Sequence, residues 1–198
     1  ETEGLLAALS GRRVAAGPAG SPWRGRADVL PTGRNLYSVD PRAVPSRAAH
    51  AQGVKLAEEL LRRHLQDKGD WPRGLVIDLW GSATMRTAGE ELAMAMHLAG
   101  LAPKWDEGSE RVSGFEIVPL ALLDRPRIAG PRVFGPKPGL YGMGMEPALQ
   151  DYSPEGREAA GEAWLSGSDW AFDAKGQAQQ NRAALEARLH NADGYAHV

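Results

Sequence analysis

The sequence predicts an α/β protein with a Rossmann-like three-layer core and a mostly parallel sheet. An extended N-terminal segment precedes this core and a helical C-terminal part follows it. Three observations support this. Leu75, Val76, Ile77, Leu79 and Trp80, interrupted by Asp78, read as a strand that stops at Gly81-Ser82. A helical period follows, with Leu92, Met96 and Ala99 on one face and Gly100 as the stop signal. Pro103-Lys104-Trp105 then reads as a second, parallel strand. Strand, tight polar turn and helix make the front half of a βαβ unit, and its turn lies where open α/β sheets bind ligands.

Taken in order, residues 1–45 form the extended segment. Gly11, Gly17, Gly20 and Gly25 mix there with Pro18 and Pro22, and only Leu5, Leu6 and Leu9 hint at a helical turn. Pro31, Pro41 and Pro45 exclude a continuous helix. Thr32-Gly33 and Asp40-Pro41 suit turns, and Ser46 is a plausible N-cap. The α/β unit spans 46–128. It begins with a helix from about Ser46 to Gln66, whose stripe is Val54, Ala57, Leu61 and Leu65 and whose end is Gly69. After the strand at Leu75, a helix runs from near Thr84 to Gly100, and residues 106–114 read as a loop or hairpin tip. Phe115 opens a third strand, followed by a helical turn through Leu122 and Leu123. Arg125-Pro126-Arg127-Ile128 leads toward a fourth strand that does not follow. The region 131–198 continues the α/β unit after a gap, with a Gly/Pro-dense loop from Gly135 to Gly144. Ser153-Pro154 starts a helix to about Leu165, a last helix fits Gln177 to Leu189, and Gly194 to Val198 reads as a strand.

Composition narrows the function. Over 198 residues, 42% are apolar and 24% charged, an ordinary globular mix. A net charge of -2 gives no basic field for nucleic acid or an anionic membrane. No apolar run approaches the roughly 18 residues of a membrane span, and no signal-peptide pattern opens the chain, so a cytoplasmic protein is expected. Without cysteine there are no disulfides and no thiolate metal sites. Neither GxxxxGK[ST] nor GxGxxG is present, so the chain shows no nucleotide site of its own.

Several side chains are candidates for chemistry. The turn Gly81-Ser82-Ala83-Thr84 can offer backbone N–H groups and hydroxyls to an anion, or Ser82 or Thr84 can be a plain N-cap. Arg86, read in the first helical turn, is misplaced there unless it meets an external anion or a carboxylate such as Asp78 or Glu90. Asp78 lies either at the crevice or in an ion pair with Arg73 or Arg86. Glu90 and Glu91 are either paired carboxylates for base or hard-metal chemistry or members of structural ion pairs. The five histidines, His97 and His50 among them, show no zinc spacing. Arg34, Arg42 and Arg47, with Asn35 and Tyr37, form a possible carboxylate cluster, or are solvated or paired. Met143 and Met145 either line a flat ligand or fill space.

Three longer stretches say more: LPTGRNLYSVDPRAVPSRAA (Leu30–Ala49), IDLWGSATMRTAGEE (Ile77–Glu91) and GFEIVPLALLDRPRI (Gly114–Ile128). With RVFGPKPGLYGMGM (Arg132–Met145), they resemble the large subunit of the ATP-dependent cobaltochelatases and, more distantly, that of magnesium chelatase. Arg34 with Leu36-Tyr37, and Ser82-Ala83-Thr84 after the tryptophan, resemble the cobalt branch. The resemblance implies a piece of a longer subunit that lacks a stretch between Ile128 and Arg132. It implies insertion of Co2+ into hydrogenobyrinic acid a,c-diamide, with ATP hydrolysed by an AAA+ ATPase subunit and an integrin-like subunit. Cobalt and ATP would be used by the complete complex, with no cofactor bound by this chain. Matched positions run over Pro31 to Asn35, Asp40 to Arg42, Trp80 to Ser82, Arg86, Glu90 and Tyr141. By this resemblance Arg34, Asn35, Arg42, Trp80, Ser82 and Arg86 are candidate substrate-binding residues, the arginines gripping corrinoid carboxylates and amides and Trp80 offering a flat wall. The family's metal-inserting histidines and glutamates lie upstream, so no catalytic residue is assigned. Two alternatives stay open: the magnesium branch, with protoporphyrin IX as ligand, and a non-catalytic scaffold that docks the motor subunits.

Overall fold

In the computed structural model the described residues are 2–17, 27–30, 40–126, 133–140, 150–173 and 175–197. They form helices and short strands that fall into two compact units. One comprises Glu1–Pro72, Ile77–Ile128 and Ala196–Val198, and the other Arg73–Val76 and Ala129–Tyr195. The chain passes from one to the other inside the first strand, β1 (Leu75–Asp78), and again inside the last, β7 (Gly194–His197).

The first unit is built on α2 (Arg47–Lys68), which packs against α4 (Glu90–Leu98). Ser46 caps α2, its hydroxyl accepting from Ala49 N, and Gly69 ends it at φ 75° with its N–H donating to Leu65 O. The buried face of α2 is Ala49, Gly53, Ala57 and Leu61 at helical spacing, and the small residues Ala49, Gly53 and Ala57 let the backbones close in. A Cβ on Gly53 would lie 2.4 Å from Glu90 O and 2.7 Å from Met94 N. From α4 the core receives Ala93, Met94 and Leu98. Arg125, its side chain 1% exposed, closes the end of α4 by donating to His97 O (2.7 Å) and Leu98 O (3.3 Å).

The single helix expected from Thr84 to Gly100 is two. α3 (Gly81–Thr87) ends at Ala88 (φ 59°), and Gly89 (φ 96°) starts α4. Two successive left-handed residues break the i to i+4 ladder and rotate the second helix, so Ala93, Met94 and Leu98 face inward rather than Leu92, Met96 and Ala99. Gly89 packs too closely for any other residue, since its Cβ would stand 2.5 Å from Val44 Cγ1.

The sheets also differ from expectation. Among the described residues parallel pairing is confined to the small β1–β7 sheet. β2 (Leu101–Trp105) does not lie beside β1 but pairs antiparallel with β3 (Val112–Ile117), Leu101 opposite Ile117 and Pro103 opposite Phe115. The tip between them is far too short for a crossover helix, which forces a hairpin. Asp106 closes that tip by accepting from Ser109 N and Oγ, and Glu110 turns at φ 54°. α5 (Leu120–Leu123) follows. No described sheet exceeds three strands, so the described elements do not form the three-layer Rossmann-like core.

The extended reading of residues 1–45 fails at Thr2–Leu9, which is helix α1. Leu5, Leu6 and Leu9 are exposed on it, and good helix formers run from Leu5 to Leu9 despite Gly4. The second unit holds β4 (Val133–Gly135), β5 (Trp170–Phe172) and β6 (Ala178–Gln180) in one antiparallel sheet, none of which the helical reading of this region included. α6 (Pro154–Gly167) is capped by Ser153 as expected. The last helix, α7 (Arg182–His190), starts five residues later than expected. Gln177 to Gln180 belong to the β5–β6 hairpin, and Asn181 Oδ1 accepts from Ala184 N as the cap.

Candidate functional site

The corner from β1 into α3 is open. Leu79, Trp80, Gly81, Ser82, Met85 and Arg86 are all exposed, and Asp78 is half-buried. Trp80 occupies the N-cap position without a side-chain cap bond, and its indole N–H donates to Asp78 Oδ2 at 3.1 Å. Neither Ser82 nor Thr84 caps the helix. Thr84 instead donates from Oγ1 to Trp80 O at 3.2 Å. Because α3 starts at Gly81 and has only 7 residues, Arg86 lies in its last turn. A cation is electrostatically at ease there, so the argument that Arg86 is misplaced does not hold. Exposure is what keeps it a candidate. It makes no ion pair among the described residues, with Asp78 and Glu90 included.

Glu90 and Glu91 diverge. Glu91 is wholly buried and accepts the Thr87 hydroxyl on Oε2 at 2.7 Å, while its Oε1 has no hydrogen bond. Glu90 is half-buried, so the two are not a paired-carboxylate site. His97 meets Glu58 at 2.6 Å, and His50 stands edge-on to Trp105 with ring centroids 5.4 Å apart. Among the described residues no group of three or more His, Asp or Glu side chains is placed to hold a metal ion.

Arg42 belongs to a second feature. Asp40, buried, caps the short 3-10 turn Pro41–Ala43 by accepting from Arg42 N at 3.0 Å. The same carboxylate takes Arg42 Nε at 3.2 Å on one oxygen and Arg111 Nε at 3.2 Å on the other. Burial works to raise the Asp40 pKa, but the hydrogen bonds from Arg42 and Arg111 prevail and hold it below the usual carboxylate range. Beside it Arg47 Nε donates to Glu110 at 2.8 Å while its guanidinium lies 4.9 Å from the Trp105 ring centroid. Trp105 is fixed in turn by donating to Pro45 O at 2.9 Å.

Of the sequence-derived candidates, Trp80, Ser82 and Arg86 share the corner and Arg42 sits on Asp40. No hydrogen bond or ion pair joins Arg42 to Ser82 or Arg86. Arg34 and Asn35 lie outside the described residues, as do Tyr37, Tyr141, Met143, Met145 and the junction from Ile128 to Arg132. Arg111 was missed. It is 71 positions from Asp40, and only the hairpin brings it back.

The family model described as CobN/Magnesium Chelatase matches residues 1–130 and 129–198, two pieces that meet at the junction after Ile128. The aerobic cobaltochelatase subunit CobN of Sinorhizobium sp. is 37% identical over 98% of this chain, which covers 20% of that protein. That alignment runs over 256 residues, so the relative has residues with no counterpart in these 198. The chloroplastic magnesium-chelatase subunit ChlH of Oryza sativa subsp. japonica is 39% identical over 65% of the chain, which covers 9% of that protein. Among solved structures, the catalytic subunit of cobaltochelatase from Mycobacterium tuberculosis superposes with a TM-score of 0.76 at 30% identity, covering all of this chain and 22% of its own. The chain thus spans about a fifth of the length of the cobaltochelatase relatives it matches.

Proposed function

This chain belongs to the CobN/magnesium chelatase family, and on that premise we propose that it is part of the large, tetrapyrrole-handling subunit of a cobaltochelatase. The substrates are Co2+ and hydrogenobyrinic acid a,c-diamide, and ATP is hydrolysed by an AAA+ subunit working with an integrin-like subunit in the cytoplasm. The observation that supports the cobalt branch is coverage: the cobaltochelatase relative matches 98% of the chain and the magnesium relative 65%.

Metal insertion requires a macrocycle held still, its pyrrole N–H protons accepted by bases, and a cation stripped of water. In this reading the chain supplies the first of these and binds no cofactor, and by itself it is inactive. Arg34, Arg42 and Arg86 grip peripheral carboxylates and amides, Asn35 and Ser82 add neutral hydrogen bonds, and Trp80 supplies an apolar wall. Titrating the chain with the corrinoid and with protoporphyrin IX tests this. The corrinoid is expected to bind more tightly, and Arg86→Ala and Trp80→Ala to weaken it without loss of fold. Corrinoid affinity unchanged in both variants would remove these roles, and preference for protoporphyrin would move the chain to the magnesium branch.

A docking role for the motor subunits is the second reading. It is favoured by Phe115 and Ile117 on β3 and Leu120 and Leu122 on α5, four exposed large apolar side chains close together in sequence. Pull-down of the motor subunits by the wild-type chain and not by a Phe115→Ser, Ile117→Thr double variant would support it.

A further inference from the structure

The guanidinium groups of Arg42, Arg47 and Arg111 are oriented by their own ion pairs, and the way they are oriented leaves donors over. Arg47 and Arg111 each spend only Nε, on Glu110 and Asp40 respectively, so both Nη groups of each remain without an acceptor among the described residues. Arg42 spends Nε and Nη2 on Asp40 and keeps Nη1. The side chains are 67%, 52% and 41% exposed for Arg42, Arg47 and Arg111, while the Asp40 side chain that gathers two of them is 5% exposed. Among the described residues three cations meet two carboxylates here, a net positive balance.

Trp105 lies under Arg47 and is fixed through its indole N–H to Pro45 O. Glu110 is held at φ 54°, a conformation disfavoured for a residue with a side chain. That turn sends Glu110 to Arg47 and the next residue, Arg111, to Asp40. A hairpin tip needs only to close. This one also carries the Arg111 guanidinium and, through Glu110, orients that of Arg47 on α2, and the free ends of both forks match a carboxylate in bidentate fashion.

We propose that Arg47 and Arg111, with Arg42, form a carboxylate-recognition site for a polycarboxylate ligand. On the reading of the preceding subsection, which this inference deepens and on which its natural ligand rests, that ligand is the tetrapyrrole through its peripheral carboxylates. The site adds Arg47 and Arg111 to the grips already named and places them on the β2–β3 hairpin and α2.

Isothermal titration of the chain tests it with three probes: citrate, a tetrapyrrole with free peripheral carboxylates, and the same tetrapyrrole fully esterified. Urea midpoints confirm that each variant is folded. Arg47→Gln and Arg111→Gln are each expected to weaken citrate and the free-acid tetrapyrrole about 10-fold or more. The ester is expected to bind wild type and variants alike. Arg111→Lys, which keeps the charge and loses the fork, is expected to behave like Arg111→Gln, and full recovery by lysine overturns the bidentate geometry. Affinities for citrate and the free acid that do not change in either Gln variant overturn the site, as does tighter binding of inorganic phosphate than of citrate. The two readings fail separately. Citrate binding that depends on Arg47 and Arg111, with no tetrapyrrole binding at all, removes the tetrapyrrole and keeps the site. Tetrapyrrole binding indifferent to both arginines and to esterification removes the site and keeps the tetrapyrrole.

Discussion

Replacing Gly53 by alanine should destabilise the protein, although the same change in another helix should stabilise it. The new methyl would stand 2.4 Å from Glu90 O, 2.6 Å from Ala93 Cβ and 2.7 Å from Met94 N. Two of these neighbours are backbone atoms of the facing helix, so no side-chain rotation relieves the clash and α2 and α4 must separate. Overpacking of this kind costs about 1–3 kcal/mol, and the contacts here place it in the upper half of that range. Alanine returns about 1 kcal/mol of helix propensity. The net loss is therefore about 1–2 kcal/mol, or a fall in Tm of roughly 2–8 °C for a chain of this size. Gly161 in α6 is the control, since a Cβ there meets nothing within 4 Å. Gly161→Ala keeps the propensity term without the clash and should gain about 0.5–1 kcal/mol. Urea unfolding of both variants beside the wild type reads the two signs. A Gly53→Ala protein as stable as the wild type would mean that α2 and α4 are not in backbone contact, and the packing of the first unit described above would be wrong.

Two further outcomes follow from buried polar groups. Arg125→Met keeps most of the volume but leaves Leu98 O without its donor and His97 O with the Gly100 N–H alone, so a loss of about 1–3 kcal/mol in urea unfolding is expected. A loss below about 0.5 kcal/mol would show that water or the chain replaces the guanidinium. Burial, and after it the charge of nearby His97, push the His50 imidazole below 6.5. The unfolded chain then binds more protons than the folded one just below that value. Stability from His50 is complete above about pH 6.5 and declines as the pH falls through it. Urea midpoints at pH 7.5 and pH 5.5 should fall for the wild type, and His50→Gln should flatten that fall. An equal fall in the variant would assign it to other groups.

What could be read from the sequence was what depends on neighbours in sequence. Ser46, the stripe through Ala57 and Leu61, and Gly69 located α2 to within two residues at either end, because caps and a 3.6-residue period are local. Its contact face was only half legible. Gly53 reads as a weak helix residue, and its use as a gap for α4 depends on a partner some forty positions away. The break at Ala88 had one local sign, Gly89, but an alanine at φ 59° cannot be read from its identity. Likewise β3 was recognised as a strand, yet its direction depended on a tip short enough to fold back. The site divides the same way. Arg42 was visible as a candidate, and its Asp40 partner two residues away was read only as a turn, whereas Arg111 reaches that carboxylate only after β2 and β3 have paired. Arg86 was visible as a residue but assigned to the wrong end of its helix, since the helix begins three residues before Thr84.

The left-handed step at Ala88 and Gly89 has a mechanical consequence. Ser46 N–H donates to Ala88 O at 3.1 Å, and Gly89 rests against Val44 and Pro45. Arg42 lies two residues before Val44, and Arg86 two residues before Ala88. The strap bearing one arginine and the short coil bearing the other are therefore buttoned together at a single point, which glycine alone can close. Displacing either arm by more than the slack of two residues requires that button to open.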